Sequence, residues 1–175
     1  YLEKGWALHV GVGLCESVQK IHRAGVVHRD LSPENVMYTY DRHVRVYLID
    51  FDSAKPFGKK TRLETIKSDG STIGKVNYTA PEQWQNFDAA TTASDAYSVG
   101  IMIWESFLGS PPFTGDNVYA ARHQHETAAR DHTPLLQCGV SKRLAIAIVQ
   151  LLHPLPEIRP TLRVIETLLA EELRR

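Results

Sequence analysis

The stretch from Asp95 to Leu108, DAYSVGIMIWESFL, constrains the fold most. Its apolar residues recur at helical spacing and leave almost no polar face, so the helix has to sit inside a packed domain with other elements around it. Glu105 breaks the apolar run, which is also too short to cross a bilayer. This is a buried core helix and no membrane anchor, and Pro111-Pro112 stops it. Helical periodicity also runs through Gly5–Ala24, with Gly25 where a helix C-terminal glycine belongs. Amphipathic helices are predicted over Asn117–Arg130, Ser141–Leu152 and Thr161–Leu173. The 175 residues are enough for one sizeable core.

Between the first helix and the central one the character is different. Val26–Val27 reads as a minimal strand. Pro33 rules out ordinary helix or central strand around it. Val36–Tyr38 and Val44–Ile49 are rich in β-branched and aromatic residues and read as two β segments joined by a polar turn at Asp41–Arg42. From Asp50 to about Tyr78 the chain is polar, with Gly58, Gly70, Gly74 and the run Lys59-Lys60-Thr61-Arg62. So long a loop within a compact domain is functional or disordered. The predicted fold is mainly α, a helix bundle with a small β hairpin and one long loop.

Twenty basic residues balance twenty acidic ones, for a formal net charge of +0. That argues against a nucleic-acid binder or a polybasic membrane module. Cys15 and Cys138 are far apart and form no CxxC, so they read as reduced thiols of a cytoplasmic protein. His123, His125, Glu126 and His132 form a histidine-rich patch. It lacks the ligand set and loop of a zinc site and reads as a solvated helix face. The chain starts at Tyr1 and runs quickly into helix, as a piece of a longer protein would.

Several separated segments carry motifs. His28-Arg29-Asp30 is followed by Asn35. Asp50-Phe51-Asp52 comes directly after the apolar strand. Ala80-Pro81-Glu82, Asp95-Ala96-Tyr97-Ser98-Val99-Gly100, Pro111-Pro112-Phe113 and Glu157-Ile158-Arg159-Pro160-Thr161 follow. In this order and spacing they resemble the C-terminal, helical lobe of a eukaryotic-type protein kinase, serine/threonine-like because of Pro33-Glu34. The resemblance covers nearly the whole chain, 1–175, with an activation segment at about 50–82.

The resemblance implies roles that the chemistry of phosphoryl transfer explains. That reaction needs positioning and cancellation of charge on ATP more than covalent chemistry. Asp30 would orient the acceptor hydroxyl. Asn35 and Asp50 would offer hard oxygen ligands to Mg2+, and Met37 would pack under the adenine ring. Glu82 and Arg159 resemble a structural ion pair. Asp95 resembles the helix-start carboxylate that holds the catalytic loop. Arg29 would receive a regulatory phosphate at Ser71 or Thr72. Glu34 and Glu105 would bind basic residues of a protein substrate. Each also has a plainer reading: a turn residue for Asp30, a turn cap for Asn35, core packing for Met37, a dipole-complementing acid for Asp95, a helix-surface acid for Glu105.

Three departures stand out. Ser32 stands where such kinases carry a lysine for the γ-phosphate. Lys75 stands where they carry a threonine after Gly74. The pair reads as an exchange, with Lys75 restoring the charge beside Asp30. Asp52 replaces a glycine, which restricts flipping of its segment and leaves Asp50 intact. No Gly-rich phosphate loop, strand lysine or helix glutamate precedes residue 28, and Gly11-Val12-Gly13 lies inside a helical pattern. The expectation is therefore a kinase whose N-terminal lobe lies outside this chain, with the isolated fragment inactive. The rival is a pseudokinase lobe serving as a protein-binding scaffold.

Overall fold

A computed structural model describes residues 3–41, 44–59 and 73–175, without the side chains of residues 73 and 74. Helix α1 spans Lys4–Arg23 and ends in Gly25, whose φ of 77° is left-handed and suits glycine. The two-residue strand β1, Val26–Val27, follows, then a 3-10 turn at Pro33–Asn35. Proline takes the first position of that turn, where its missing N–H costs nothing. Strands β2 (Val36–Tyr40) and β3 (Val44–Leu48) form an antiparallel hairpin in which Met37 faces Tyr47 and Tyr38 faces Val46.

Beyond the hairpin, strand β4 (Lys55–Pro56) turns back to pair antiparallel with β1. Helix α2 (Ile73–Val76) and α3 (Pro81–Gln85) lead through a 3-10 turn at Phe87–Ala89 into α4, Thr92–Leu108. Then come α5 (Val118–Thr127), α6 (Thr133–Gln137), α7 (Lys142–Leu151), a 3-10 turn at Pro156–Ile158 and α8 (Leu162–Leu173).

Helix α4 is the buried centre. Residues 94 to 103 along it are all buried, and Tyr97, Val99, Ile101 and Ile103 are fully enclosed. It starts three residues before the predicted Asp95 because Thr91 caps it: the Thr91 hydroxyl accepts from the Ala93 amide at 3.2 Å, and Ser94 Oγ accepts from the Thr91 amide at 3.0 Å. Helices α1, α7 and α8 pack around it in the main core, with Leu14, Ile103, Leu144, Ile148, Ile165 and Leu169 at its heart.

The hairpin docks on α1. Ser17 Oγ donates to the Val46 carbonyl at 2.6 Å. Gly13 permits the approach, since a Cβ there would lie 2.6 Å from Val46 Cγ2. The glycines of Gly11-Val12-Gly13 thus serve packing inside α1.

Some boundaries and one surface differ from the sequence prediction. The helix predicted over Asn117–Arg130 stops at Thr127, and Asn117 caps it by accepting from the Ala120 amide. Helix α6 and the β1–β4 pairing were not predicted, and α2 and β4 interrupt the segment predicted as one loop. The histidine patch is not a solvated face. His123 is exposed, but His125 is fully enclosed, with its Nδ1 2.7 Å from the Tyr97 hydroxyl and its ring 5.3 Å from that of Phe113. Among the described residues no cluster of three or more His, Cys, Asp or Glu is placed to hold a metal ion. None of the described helices is long and apolar enough to cross a membrane.

Candidate active site

The site is the region where the loop between β1 and the hairpin meets the end of β3 and helix α2. Its backbone is held from below by the core. Asp95, 1% exposed, accepts from the His28 amide at 2.9 Å through Oδ2 and from the Arg29 amide at 2.9 Å through Oδ1. The same carboxylate lies 2.8 Å from His22 Nε2 on α1. Gln83 Nε2 on α3 donates to the Arg29 carbonyl at 2.9 Å. These bonds hold Arg29 at a φ of 70°, a left-handed conformation costing a non-glycine residue about 1–2 kcal/mol. Asp50 is the other non-glycine residue with positive φ among those described, at 61°. The unusual backbone of the Asp50-Phe51-Asp52 stretch therefore falls on Asp50, and Asp52 takes no left-handed angle.

With the backbone fixed, the polar side chains converge. Asn35 Nδ2 donates to the Asp30 carbonyl at 2.7 Å and to Asp30 Oδ2 at 3.1 Å. Using Nδ2 twice defines the amide's orientation and leaves Oδ1 as an oxygen donor. The 3-10 turn places Asn35 at the foot of β2, and the Ile49 amide donates to the Asn35 carbonyl at 3.0 Å, which ties Asp50 to Asn35 across the hairpin. His28 Nε2 lies 3.2 Å from the Ile49 carbonyl, and its ring packs tilted against Phe51 with the centroids 4.8 Å apart. Asn35 and the exposed Asp50 are hard oxygen donors, the donor type that Mg2+ prefers, so the residues present fit that ion.

Lys75, 45 residues from Asp30, reaches the same point. Its Nζ donates to Asp30 Oδ2 at 2.9 Å, with the two side chains 26% and 27% exposed. The bond to Asp30 raises the lysine pKa; burial opposes this, and the charges of Asp30, Asp50 and Glu34 add to it. Ser32 is only 2% exposed, and its hydroxyl is buried without a hydrogen-bond partner among the described residues. Met37 is 55% exposed on the hairpin face, opposite Tyr47.

On the far side, Arg29 turns away from Asp30. Its Nη1 donates to Asp88 Oδ1 at 3.2 Å, its Nε donates to the Ser53 carbonyl, and its guanidinium lies 4.5 Å from the Phe87 ring centroid. Lys55 donates to the Asp88 carbonyl and lies 3.7 Å from the Asp88 carboxylate. Burial pulls the Arg29 pKa down, while Asp88 opposes that shift. Ser71 and Thr72 lie outside the described residues.

Glu82 and Arg159 form a pair of parallel bonds of 2.8 Å each, Nη1 to Oε1 and Nη2 to Oε2. Burial opposes the charge on Glu82, but Arg159 and the 2.6 Å bond from Ser94 Oγ outweigh it and hold the carboxyl below its ordinary range. Removing one partner of so enclosed a pair costs about 3–5 kcal/mol. Glu105 accepts a 2.6 Å bond from the Tyr78 hydroxyl. Burial and Glu105 together push the Tyr78 pKa upward. Glu34 stays exposed at the rim.

The structure thus brings Asp30, Asn35, Lys75 and Asp50 to one place and sets Arg29 apart from them. Sequence reasoning missed Asp88, Gln83, Tyr78 and His22. Tyr78 had a signal in its place two residues before Ala80-Pro81-Glu82; the others had none, because their roles come from contacts across 54 to 73 positions.

This arrangement has relatives. The protein kinase domain family matches residues 3–172, and the chain belongs to that family. It is similar to the probable serine/threonine-protein kinase pknA2 of Bifidobacterium longum, 36% identical over 156 residues that make up 88% of this chain and 19% of that protein. It is also similar to the serine/threonine-protein kinase PknB of Mycobacterium leprae, 30% identical over 155 residues, 87% of this chain and 24% of that one. The chain therefore spans about a quarter or less of these relatives' length. A crystal structure of the Rad53 kinase domain and SCD2 shares the fold, with a TM-score of 0.72, 22% identity and coverage of 94% of this chain and 56% of that one. The same domain in complex with AMPPNP matches all of this chain and 69% of its own, with a TM-score of 0.70 and 20% identity.

Proposed function

We propose that this chain is the C-terminal lobe of a protein kinase that transfers the γ-phosphate of ATP to serine or threonine hydroxyls of protein substrates. One observation carries the reading: the Asp30 carboxylate is held at a partly open site by Asn35 and Lys75, with Asp50 following Ile49, whose amide bonds the Asn35 carbonyl across the hairpin. In this reading Asp30 would orient an acceptor hydroxyl and receive its proton. Asn35 Oδ1 and Asp50 would hold Mg2+, which would supply positive charge against the phosphates. The serine/threonine names of the bacterial relatives and the AMPPNP complex of the Rad53 kinase domain support the choice of acceptor and nucleotide.

Met37, exposed on the hairpin, is the candidate floor for the adenine, beneath an N-terminal lobe outside this chain. Glu34 and Glu105, the latter braced by Tyr78, would favour substrates with basic residues near the target hydroxyl. Ser71 or Thr72 would be the regulatory phosphorylation site. The free thiols Cys15 and Cys138 suit a cytoplasmic setting. In the complete protein, Asp30→Asn should cut phosphotransfer to a basic serine peptide by about 10²–10⁴-fold while leaving the fold intact by circular dichroism. Undiminished transfer by that variant refutes the reading, and a wild-type protein that binds partners but transfers no phosphate makes the chain a scaffold lobe.

A further inference from the structure

Among the described residues, Lys75 is the cation that bonds the Asp30 carboxylate. Three carboxylates, Asp30, Asp50 and Glu34, act on the Lys75 ammonium. The catalytic loop's own cation, Arg29, is directed to Asp88 on the other side. At position 32 the loop carries a buried hydroxyl with no hydrogen-bond partner among the described residues, and no charge. A triphosphate entering such a site meets negative charge from three side chains, and the ammonium beside Asp30 offsets part of that charge.

We propose that Lys75 binds the γ-phosphate of ATP through the face of its ammonium not used by Asp30, so that the catalytic cation is carried by helix α2 instead of the catalytic loop. This rests on the kinase reading above.

An ammonium has three donor hydrogens. One is committed to Asp30 Oδ2 at 2.9 Å. The side chain is 26% exposed, and among the described residues Asp30 is the hydrogen-bond partner of its ammonium, which leaves two hydrogens to donate. A γ-phosphate bound there lies next to the group that orients the acceptor hydroxyl. In the transfer step the acceptor oxygen forms its bond to the γ-phosphorus and the bond from that phosphorus to the bridging oxygen breaks. The bridging electron pair leaves on ADP, and the hydroxyl proton passes to the Asp30 carboxylate. Lys75 moves no proton; it compensates charge on the group in transit.

Helix α2 is short, yet its end is anchored. Val76 is 2% exposed. The Tyr78 amide and the Thr79 hydroxyl both donate to the Lys75 carbonyl, at 3.0 and 3.3 Å. Ser98 Oγ on the central helix donates to the Tyr78 carbonyl at 2.7 Å. The cation therefore arrives with the segment that leads into Tyr78 and Glu105. A catalytic centre built this way is complete only when that segment is seated.

The test compares nucleotides in the complete protein, with Mg-ATP and Mg-ADP titrated separately by calorimetry. Lys75→Met should weaken ATP relative to ADP by on the order of tenfold, with ADP affinity unchanged. Lys75→Arg should keep most of the preference for ATP, which separates lost charge from lost folding. Turnover of Lys75→Met should fall by roughly a hundredfold or more. The double variant Ser32→Lys plus Lys75→Thr should recover at least about tenfold over Lys75→Thr alone. Equal effects of Lys75→Met on ATP and ADP, or wild-type turnover in that variant, overturn the proposal. Asp30→Asn keeps the two readings apart. Full turnover there refutes catalysis by this lobe, whereas the ATP-over-ADP measurement reports on Lys75 whether or not phosphate is transferred.

Discussion

His125 shows how one side chain can tie stability to pH. It is fully enclosed, with Tyr97 at its Nδ1, Phe113 against its ring and Arg130 donating to its backbone carbonyl. Burial, and then Arg130, push its pKa from 6.5 down to about 4. A base with a lowered folded-state pKa leaves stability untouched above the unfolded value. Stability is lost as pH falls from about 6.5 towards 4, where only the unfolded chain gains the proton readily. The expected loss is about 2 kcal/mol between pH 7 and 5 and roughly 3 kcal/mol by pH 4. Glu82 adds its own loss only below its ordinary value of 4.5, because its folded pKa is depressed and its stabilisation is present above that value. Urea unfolding of the complete protein between pH 7 and 5 isolates the histidine. His125→Gln, which still accepts from Tyr97, should flatten that slope, and an unchanged slope contradicts the assignment.

At the scale of elements, the fit of α1 to the hairpin depends on an absent atom. Gly13→Ala would put a Cβ 2.6 Å from Val46 Cγ2, with the Val46 amide nitrogen 3.8 Å away. The hairpin has to shift, at a cost of about 1–3 kcal/mol. Because β2 starts just after Asn35 and β3 ends two residues before Asp50, the proposed nucleotide binding should weaken alongside the melting temperature, and calorimetry measures both. The elements also show why some of the fold was legible and some was not. The periodic helices and the hairpin were readable because their patterns repeat within the segment. Strands β1 and β4 have two residues each, too few for any period, and exist because they pair with one another. On α5 the buried stripe is only Ala121 and His125, one turn apart in a polar helix, so a histidine pointing inward looked like a histidine in solvent. At the site, Asp30, Asn35 and Asp50 were legible because they sit in short motifs that resemble the family's, at small chain separations. The Lys75 to Asp30 approach is readable from the two departures from the family pattern, Ser32 and Lys75, but its distance depends on how α2 seats against α5.

Over the whole molecule, the first and last helices close the structure on each other. Lys4 on α1 bonds Glu172 on α8 at 2.8 Å, and Leu169 packs on Gly11. Leu169 is fully buried, so Leu169→Ala should cost about 2–5 kcal/mol in denaturant unfolding, with the catalytic side chains untouched. A loss below about 1 kcal/mol means that the α1–α8 seam carries less of the fold than its packing indicates. The hairpin, by contrast, carries exposed apolar and aromatic side chains next to the charged cluster: Met37, Tyr47 and, just beyond it, Ile49 and Phe51.

The Arg29–Asp88 pair gives the chain a particular starting point for any later control. Arg29 has a side chain with no exposed surface and already has a carboxylate against it. A phosphate added nearby would not rescue a lonely charge; it would compete for one that is already matched. The signal would then be the difference between two anions, one built into the turn before the central helix and one written on afterwards. Such a difference makes a dimmer rather than an on–off contact, with its resting level set by residue 88.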